Sequence, residues 1–120
     1  YKYFEQGIEY SKKHTIDMRI IESCFTTLCQ LNYFDIIKYF VEELKVDVNC
    51  ESGRPLSWAA GKDNKEIVKY LLDKGADINI SDGYPLFNAI VENQLEMTEF
   101  LFSKGASIDI NKVGHPKSYN

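Results

Sequence analysis

Two consecutive stretches of this chain carry the same residue pattern thirty positions apart. The first runs from Gly53 to Ile80 and the second from Gly83 to Ile110, and no gap is needed to align them. The identical pairs include Pro55 and Pro85, Leu56 and Leu86, Ala59 and Ala89, Glu66 and Glu96, Leu71 and Leu101, Gly75 and Gly105, Ala76 and Ala106, and Ile78 and Ile108. A fixed period of this length indicates a stacked repeat array in which each unit contacts only its neighbours.

Each unit is predicted to fold as two helices joined by a tight turn. Pro55 can open the first helix, because its missing N–H would have no partner there, and the second helix begins near Asn64. Apolar residues recur at helical spacing along one stripe of each helix. They are Leu56, Ala59 and Ala60 in the first helix and Ile67, Val68, Leu71 and Leu72 in the second. Gly75 suits the left-handed position that ends a helix, and Ser81-Asp82-Gly83 is typical of a turn.

The turn between the two helices carries the same residue types in every unit. Asp63 follows Pro55 by eight positions, Asn93 follows Pro85 by eight, and Asn32 occupies this slot further upstream. Asn and Asp are the non-glycine residues that best tolerate a positive φ. The pattern predicts a left-handed residue at all three turn positions, although polar residues are common in turns for other reasons as well.

A less regular copy of the unit precedes these two. In its inner helix, Phe25, Leu28 and Cys29 correspond to Leu56, Ala59 and Ala60. One extra residue lies between positions 42 and 45, so we expect the outer helix to be extended slightly there. Lys45 takes the place of the glycine that ends the later outer helices.

The repeats divide the chain into five segments. Three are repeats, at residues 20–50, 51–80 and 81–110. Residues 1–19 are either the end of a preceding repeat or an N-terminal cap. Residues 111–120 are either the start of a further repeat or a solvated tail, because Gly114-His115-Pro116 repeats the pattern of Gly83-Tyr84-Pro85 one residue late.

Composition excludes several classes of partner. A formal net charge of −4 argues against nucleic acid, because non-specific affinity for phosphates needs clustered Lys and Arg. The sequence has no apolar run long enough to span a bilayer, so we expect no membrane partner. Three cysteines, Cys24, Cys29 and Cys50, lack metal-ligand spacing. We interpret them as reduced, partly buried thiols, and we expect a cytoplasmic monomer.

Two motifs carry a resemblance to a known family. They are Pro-Leu-x-x-Ala at residues 55–59 and Glu-Ile-Val-Lys-Tyr-Leu-Leu-Asp-Lys-Gly-Ala-Asp-Ile-Asn at residues 66–79. Together they resemble the ankyrin repeat, and the resemblance covers about residues 20–110. It implies an all-α helical solenoid of paired antiparallel helices with short β-turn fingers.

The chain departs from the family pattern in two ways. The Thr and His of the family's Thr-Pro-Leu-His motif are replaced by Arg54 and Ser57 in one unit and by Tyr84 and Phe87 in the next. Because that Thr and His link neighbouring turns in typical members, we expect a less regular turn-to-turn network here. The period is also shorter than the family's period of about 33 residues, which predicts stubby fingers.

No constellation of residues points to catalysis. His14 and His115 lie outside the regular repeats, and neither has a carboxylate or cysteine at a spacing typical of a catalytic or metal site. The chain has no glycine-rich phosphate loop and no paired-carboxylate motif. We therefore expect neither enzymatic activity nor a cofactor nor a metal.

The resemblance implies a protein-binding module that uses the concave surface of inner helices and fingers. Trp58 lies about 200° from Leu56 on a helical wheel, opposite the buried stripe, and its counterparts Thr27 and Asn88 are polar. The predicted partner-binding residues are Arg54, Trp58, Lys62, Tyr84, Asn88 and Glu92. Two alternatives stay open at these positions: Trp58 covers a neighbouring helix, or the charged residues are simply solvated surface.

The whole segment also has an alternative interpretation. It could be a non-binding spacer, or part of a larger multidomain protein such as a viral, protist or bacterial effector, including a ubiquitin-ligase substrate adaptor. Short, divergent repeats of this kind resemble those of DNA viruses, protists and intracellular bacteria. A separate column of aromatic residues, Tyr39, Tyr70 and Phe100, is predicted to pack between outer helices rather than to form a second binding surface.

Overall fold

The computed structural model describes residues 17–108, which form six α-helices and no β-strand. The helices are α1 (Met18–Leu31), α2 (Phe34–Glu42), α3 (Cys50–Gly61), α4 (Lys65–Asp73), α5 (Ile80–Val91) and α6 (Leu95–Ser103). They form three successive pairs, each with an inner helix (α1, α3, α5) followed by an outer helix (α2, α4, α6). The all-α stack predicted from the sequence is confirmed.

The core runs along the row of inner helices. Helix α3 packs against both α1 and α5, and small residues allow the close approach. Ala59 and Ala60 are fully buried. At Gly61 even a single Cβ would lie 2.4 Å from the Asn88 amide nitrogen. Larger apolar side chains complete the core on both sides: Phe25, Ile37, Leu56, Ile67, Leu71, Leu86, Met97 and Leu101.

Helices α3 and α5 each begin with a left-handed turn. Glu51, Ser52 and Gly53 have φ of 52°, 58° and 82°, and the right-handed helix of α3 starts only after them. The turn Ser81-Asp82-Gly83 repeats this geometry at φ of 54°, 60° and 97°. At Gly83 a Cβ would lie 2.3 Å from the Ser107 carbonyl oxygen, so this position requires glycine. The predicted turn is therefore present, and Pro55 opens the right-handed part of α3.

The three linker residues are left-handed, as predicted. Asn32, Asp63 and Asn93 have φ of 65°, 59° and 61°. Lys45 also adopts a positive φ, of 57°, in the position that Gly75 and Gly105 hold in the later pairs.

The expectation that the first outer helix is extended is wrong. Helix α2 has 9 residues, the same length as α4 and α6. The extra residue lies instead in the loop between Glu42 and Lys45. A loop absorbs an insertion at little cost.

Side-chain amides join successive pairs through a repeated set of hydrogen bonds. Asn49 donates to the Gly75 carbonyl at 3.2 Å and accepts from the Asp77 N–H at 2.8 Å. Asn79 donates to the Gly105 carbonyl at 3.3 Å and accepts from the Ser107 N–H at 2.8 Å. This Asn ladder provides a turn-to-turn network although the Thr and His of the family motif are absent.

A second set of amides lies at the linker turns. Asn64 donates to the Cys29 carbonyl at 2.9 Å, and Gln94, one repeat later, donates to the Gly61 carbonyl at 2.9 Å. Each bond satisfies a carbonyl near the C-terminal end of the preceding inner helix, a group that lacks an intrahelical partner. The inner helices are therefore held in register at both ends.

The predicted terminal segments fall almost entirely outside the described residues. Of residues 1–19 only the last three are described, and helix α1 already begins at Met18, where Asp17 caps it by accepting from the Arg19 N–H at 2.9 Å. Residues 111–120 lie outside the described range. None of the helices between residues 17 and 108 is both long and apolar enough to cross a membrane.

Candidate functional site

The six residues predicted to bind a partner lie in two rows on adjacent inner helices. Arg54 and Trp58 lie on α3 with Lys62 at its C-cap, each four positions after the last, and Tyr84, Asn88 and Glu92 repeat this spacing on α5 and its C-cap. Residues four apart lie on one side of a helix. Because α3 packs directly against α5, the two rows run side by side.

A shallow groove of about 160 Å³ lies between these rows and the end of α1. Four of the predicted residues line it, together with two that the sequence analysis did not name: Gln30, Trp58, Gly61, Lys62, Asn88 and Glu92. Arg54 and Tyr84 lie one helical turn nearer the left-handed turns, outside the groove lining. We call the groove with Arg54 and Tyr84 the concave surface.

Trp58 is partly buried, so its ring is neither fully solvated nor enclosed between helices. Within the described residues its indole N–H has no hydrogen-bond acceptor. An aromatic ring with a free N–H at a groove wall is able to pack against an apolar group and to donate one hydrogen bond.

Asn88 has a structural contact as well as a place in the groove. Its amide nitrogen donates to the Ser57 carbonyl at 2.8 Å, which fixes α5 against α3. No N–H or O–H of the described residues donates to its side-chain oxygen, which remains an acceptor at the groove. Asn88 therefore stabilises the packing of α5 on α3 and also presents a hydrogen-bond acceptor in the groove.

The charged residues of the concave surface are unpaired within the described part of the chain. Arg54, Lys62 and Glu92 are exposed, and the two ion pairs between residues 17 and 108 involve other side chains. Arg54 and Lys62 flank Trp58 on either side along α3. The charged residues of this row are thus positive, whereas Glu92 in the neighbouring row is negative.

Tyr84 is partly buried and stacks on Phe87, with ring centroids 6.2 Å apart and an angle of 22° between the planes. It therefore adds a second aromatic side chain to the concave surface. Gln30 and Gly61 were missed because neither residue type stands out in the sequence. The signal that could have found them was their position in the repeat. Gly61 follows Trp58 by three residues, and Gln30 is the counterpart of Gly61 one unit earlier.

Burial keeps two of the three cysteines unreactive. Cys29 and Cys50 are buried, whereas Cys24 is exposed, so the expectation of a partly buried thiol is wrong for Cys24. Burial raises the pKa of the Cys29 thiol well above its ordinary value and that of Cys50 to about 12, which keeps both protonated and unreactive near neutral pH. Between residues 17 and 108 no group of His, Cys, Asp and Glu could hold a metal ion. His14 and His115 lie outside these residues.

The aromatic column on the outer helices packs between units. Tyr39, Tyr70 and Phe100 are partly buried and packed against the core. Tyr70 meets Phe34 edge-on, with centroids 5.3 Å apart, and donates its hydroxyl to Glu42 at 2.6 Å. That hydrogen bond lowers the pKa of the Glu42 carboxyl.

Comparison with known proteins identifies a matching family model and a relative. A family model described as ankyrin repeats, in three copies, matches residues 28–112. Over 49 residues the chain is 46% identical to alpha-latrocrustotoxin-Lt1a of Latrodectus tredecimguttatus. That alignment covers 38% of this chain and 4% of the toxin, so the chain spans a small part of this relative's length.

Proposed function

This chain belongs to the ankyrin-repeat family, and on that premise we propose that its concave surface binds a partner protein. Ankyrin repeats are generally protein–protein interaction modules and are generally non-enzymatic. The proposal includes the finer expectations that the segment has no catalytic activity of its own, binds no cofactor, and acts as a monomer in the cytoplasm. Residues 20–50, 51–80 and 81–110 are proposed as its three repeats.

The observation that carries the proposal is the position of Trp58. Its ring forms part of the groove wall, and its N–H has no acceptor among the described residues. Covering such a ring with an apolar group releases water, and the free N–H offers a directed contact. Tryptophan in a partly enclosed groove is the residue type that most often dominates binding energy at an interface.

The charges around Trp58 support one kind of partner. Arg54 and Lys62 lie on either side of the ring and have no carboxylate partner within the described residues. A partner segment with an apolar side chain next to one or two carboxylates would place each group against its complement. Glu92 on α5 would in turn favour a cation at the far side of that segment.

An affinity-capture experiment distinguishes a binding module from a spacer. The immobilised chain, its Trp58→Ala variant and its Phe102→Ala variant are each incubated with a lysate of the source cells, and retained proteins are identified by mass spectrometry. Phe102 is a matched control because it is a 57% exposed aromatic residue on an outer helix. We expect a protein that is retained by the unaltered chain and by Phe102→Ala but lost with Trp58→Ala. No retained protein would support the spacer, and equal retention by all three chains would show that Trp58 is not the anchor.

A further inference from the structure

One hydroxyl in the core of the stack has no hydrogen-bond partner. The Ser57 side chain is fully buried in α3, and its Oγ has neither a donor nor an acceptor among the described residues. A buried hydroxyl without a partner costs free energy, because it has given up its hydrogen bonds to water. An added group that accepts this hydroxyl would therefore stabilise the stack.

The equivalent hydroxyl one unit earlier does have acceptors. Thr26 has the position on α1 that Ser57 has on α3. Its hydroxyl lies 2.6 Å from the carboxylate of Glu51 and 3.0 Å from the Glu22 carbonyl oxygen. Glu51 belongs to the left-handed turn of the following unit. This turn therefore supplies an acceptor to the inner helix that precedes it.

Ser57 has neither of these acceptors. Four positions before it lies Gly53, whose φ of 82° takes its carbonyl out of the helical row that a serine hydroxyl can reach. The counterpart of Glu51 in the next unit is Ser81, whose φ of 54° and ψ of 45° match the 52° and 43° of Glu51. The two side chains therefore leave the backbone in the same direction, but serine ends two atoms short of a glutamate oxygen.

The Ser81 hydroxyl is exposed and lies against the preceding turn. It donates to the Ser52 carbonyl at 2.7 Å. A Cβ at Gly53 would lie 2.3 Å from the Ile80 side chain, so the two turns are in contact. Arg54 is the next residue of the preceding turn, is exposed and forms no ion pair within the described residues. An accessible hydroxyl is thus placed next to a turn that carries an unpaired guanidinium.

We propose that Ser81 is a phosphorylation site and that its phosphate takes, in this unit, the position of the Glu51 carboxylate. A protein kinase supplies the phosphoryl group from a nucleoside triphosphate. The Ser81 Oγ bonds to the γ-phosphorus, the bond to the leaving diphosphate breaks, and the hydroxyl proton passes to the base of the kinase.

Phosphoserine carries its terminal oxygens as many atoms from the backbone as glutamate does. They accept the Ser57 hydroxyl, and the Arg54 guanidinium can donate to the same phosphate. The modification thereby ties the turn before α5 to α3. The inference does not depend on a partner at the concave surface.

Glutamate at position 81 tests whether an acceptor placed there reaches Ser57. Ser81→Glu should raise the melting temperature of the full chain by about 5 °C, and adding Ser57→Ala should abolish the gain. Ser57→Ala alone should not lower the melting temperature, because the hydroxyl that it removes has no partner. Ser103→Glu is the control and should give no gain, since Ser103 is also exposed and donates to a backbone carbonyl, that of Phe100 at 2.6 Å.

The phosphate itself is tested in two ways. A full chain with phosphoserine incorporated at position 81 during translation should melt at a higher temperature than the unmodified chain, and Arg54→Gln should reduce this gain. Mass spectrometry of the chain isolated from its source cells should locate a phosphate on Ser81. A gain from Ser81→Glu that survives Ser57→Ala, no gain from phosphoserine, or a Ser81 that is unmodified in the source cells would each overturn the proposal.

Discussion

Asn32, Asp63 and Asn93 hold backbone angles that most residues avoid. Their φ values of 65°, 59° and 61° lie in the left-handed region, where a Cβ crowds the following carbonyl. Short polar side chains reduce this cost. The sequence predicted these three positions because the residue type recurs at a fixed distance from the helix-opening proline. The positive φ of Lys45 was not predicted, because lysine has no such preference; the available signal was its position, which Gly75 and Gly105 hold in the later units.

Replacement of Asn93 tests the left-handed turn. Asn93→Gly should leave stability unchanged or raise it by about a few tenths of a kcal/mol, since glycine has no Cβ penalty at positive φ. Asn93→Val should cost more than about 1 kcal/mol. Urea denaturation measures both. Glu92→Val is the control because Glu92 has φ of −85°; a loss there equal to that of Asn93→Val would refute the explanation.

Truncation of a core residue tests the repeat register. Leu86 is fully buried in α5, and Leu86→Ala should destabilise the fold by about 2–5 kcal/mol, because the transfer energy is lost and a cavity is left. Ile90→Ala on the same helix should cost much less, since Ile90 is 46% exposed. Thermal or urea unfolding compares the two. A Leu86→Ala unfolding curve that coincides with that of the parent would mean that the buried stripe of α5 has been misassigned.

At the scale of helices and turns, the sequence predicted the elements better than the bonds between them. The helix-linker-helix unit could be predicted from periodicity, because the apolar spacing and the helix-ending residues that define it lie within a few positions of one another. The Asn ladder does not, because Asn49 meets Gly75 and Asp77 only once the units are stacked. The available signal was the recurrence of Asp-x-Asn at residues 47–49 and 77–79. There each Asp also accepts the N–H of its own Asn at 2.9 Å.

Variants of Asn79 test how far this ladder couples adjacent units. Asn79→Ala removes both the donor to Gly105 and the acceptor for Ser107, and should cost about 1–2 kcal/mol, since a hydrogen bond contributes about 0.5–1.5 kcal/mol net. Asn79→Asp keeps the acceptor, and its free energy of unfolding should lie between those of Asn79→Ala and the parent. Urea denaturation gives the energies, and hydrogen exchange of the Ser107 amide reports the local bond. Unchanged exchange at Ser107 in Asn79→Ala would rule out the ladder as a coupling device.

At the scale of the whole molecule, the burial of a residue depends on the units packed against its own. Ala60 lies on α3, which packs against both α1 and α5, and is fully buried, whereas its counterpart Ile90 on α5 is 46% exposed. Burial here follows from neighbours rather than from residue type. For the same reason the sequence could place Trp58 opposite the buried stripe but not determine its partial burial, which depends on α1 and α5 together.

The central claim is that Trp58 anchors a partner protein on the concave surface. The most direct measurement is the dissociation constant of the captured partner, determined by calorimetry for the parent, Trp58→Ala and Phe102→Ala, alongside the melting temperature of each. We predict that Trp58→Ala weakens binding by at least about 2 kcal/mol, roughly thirtyfold, with little change in melting temperature, and that Phe102→Ala leaves the constant unchanged. An unchanged dissociation constant for Trp58→Ala together with a lowered melting temperature would contradict the claim and assign Trp58 to the packing of the stack.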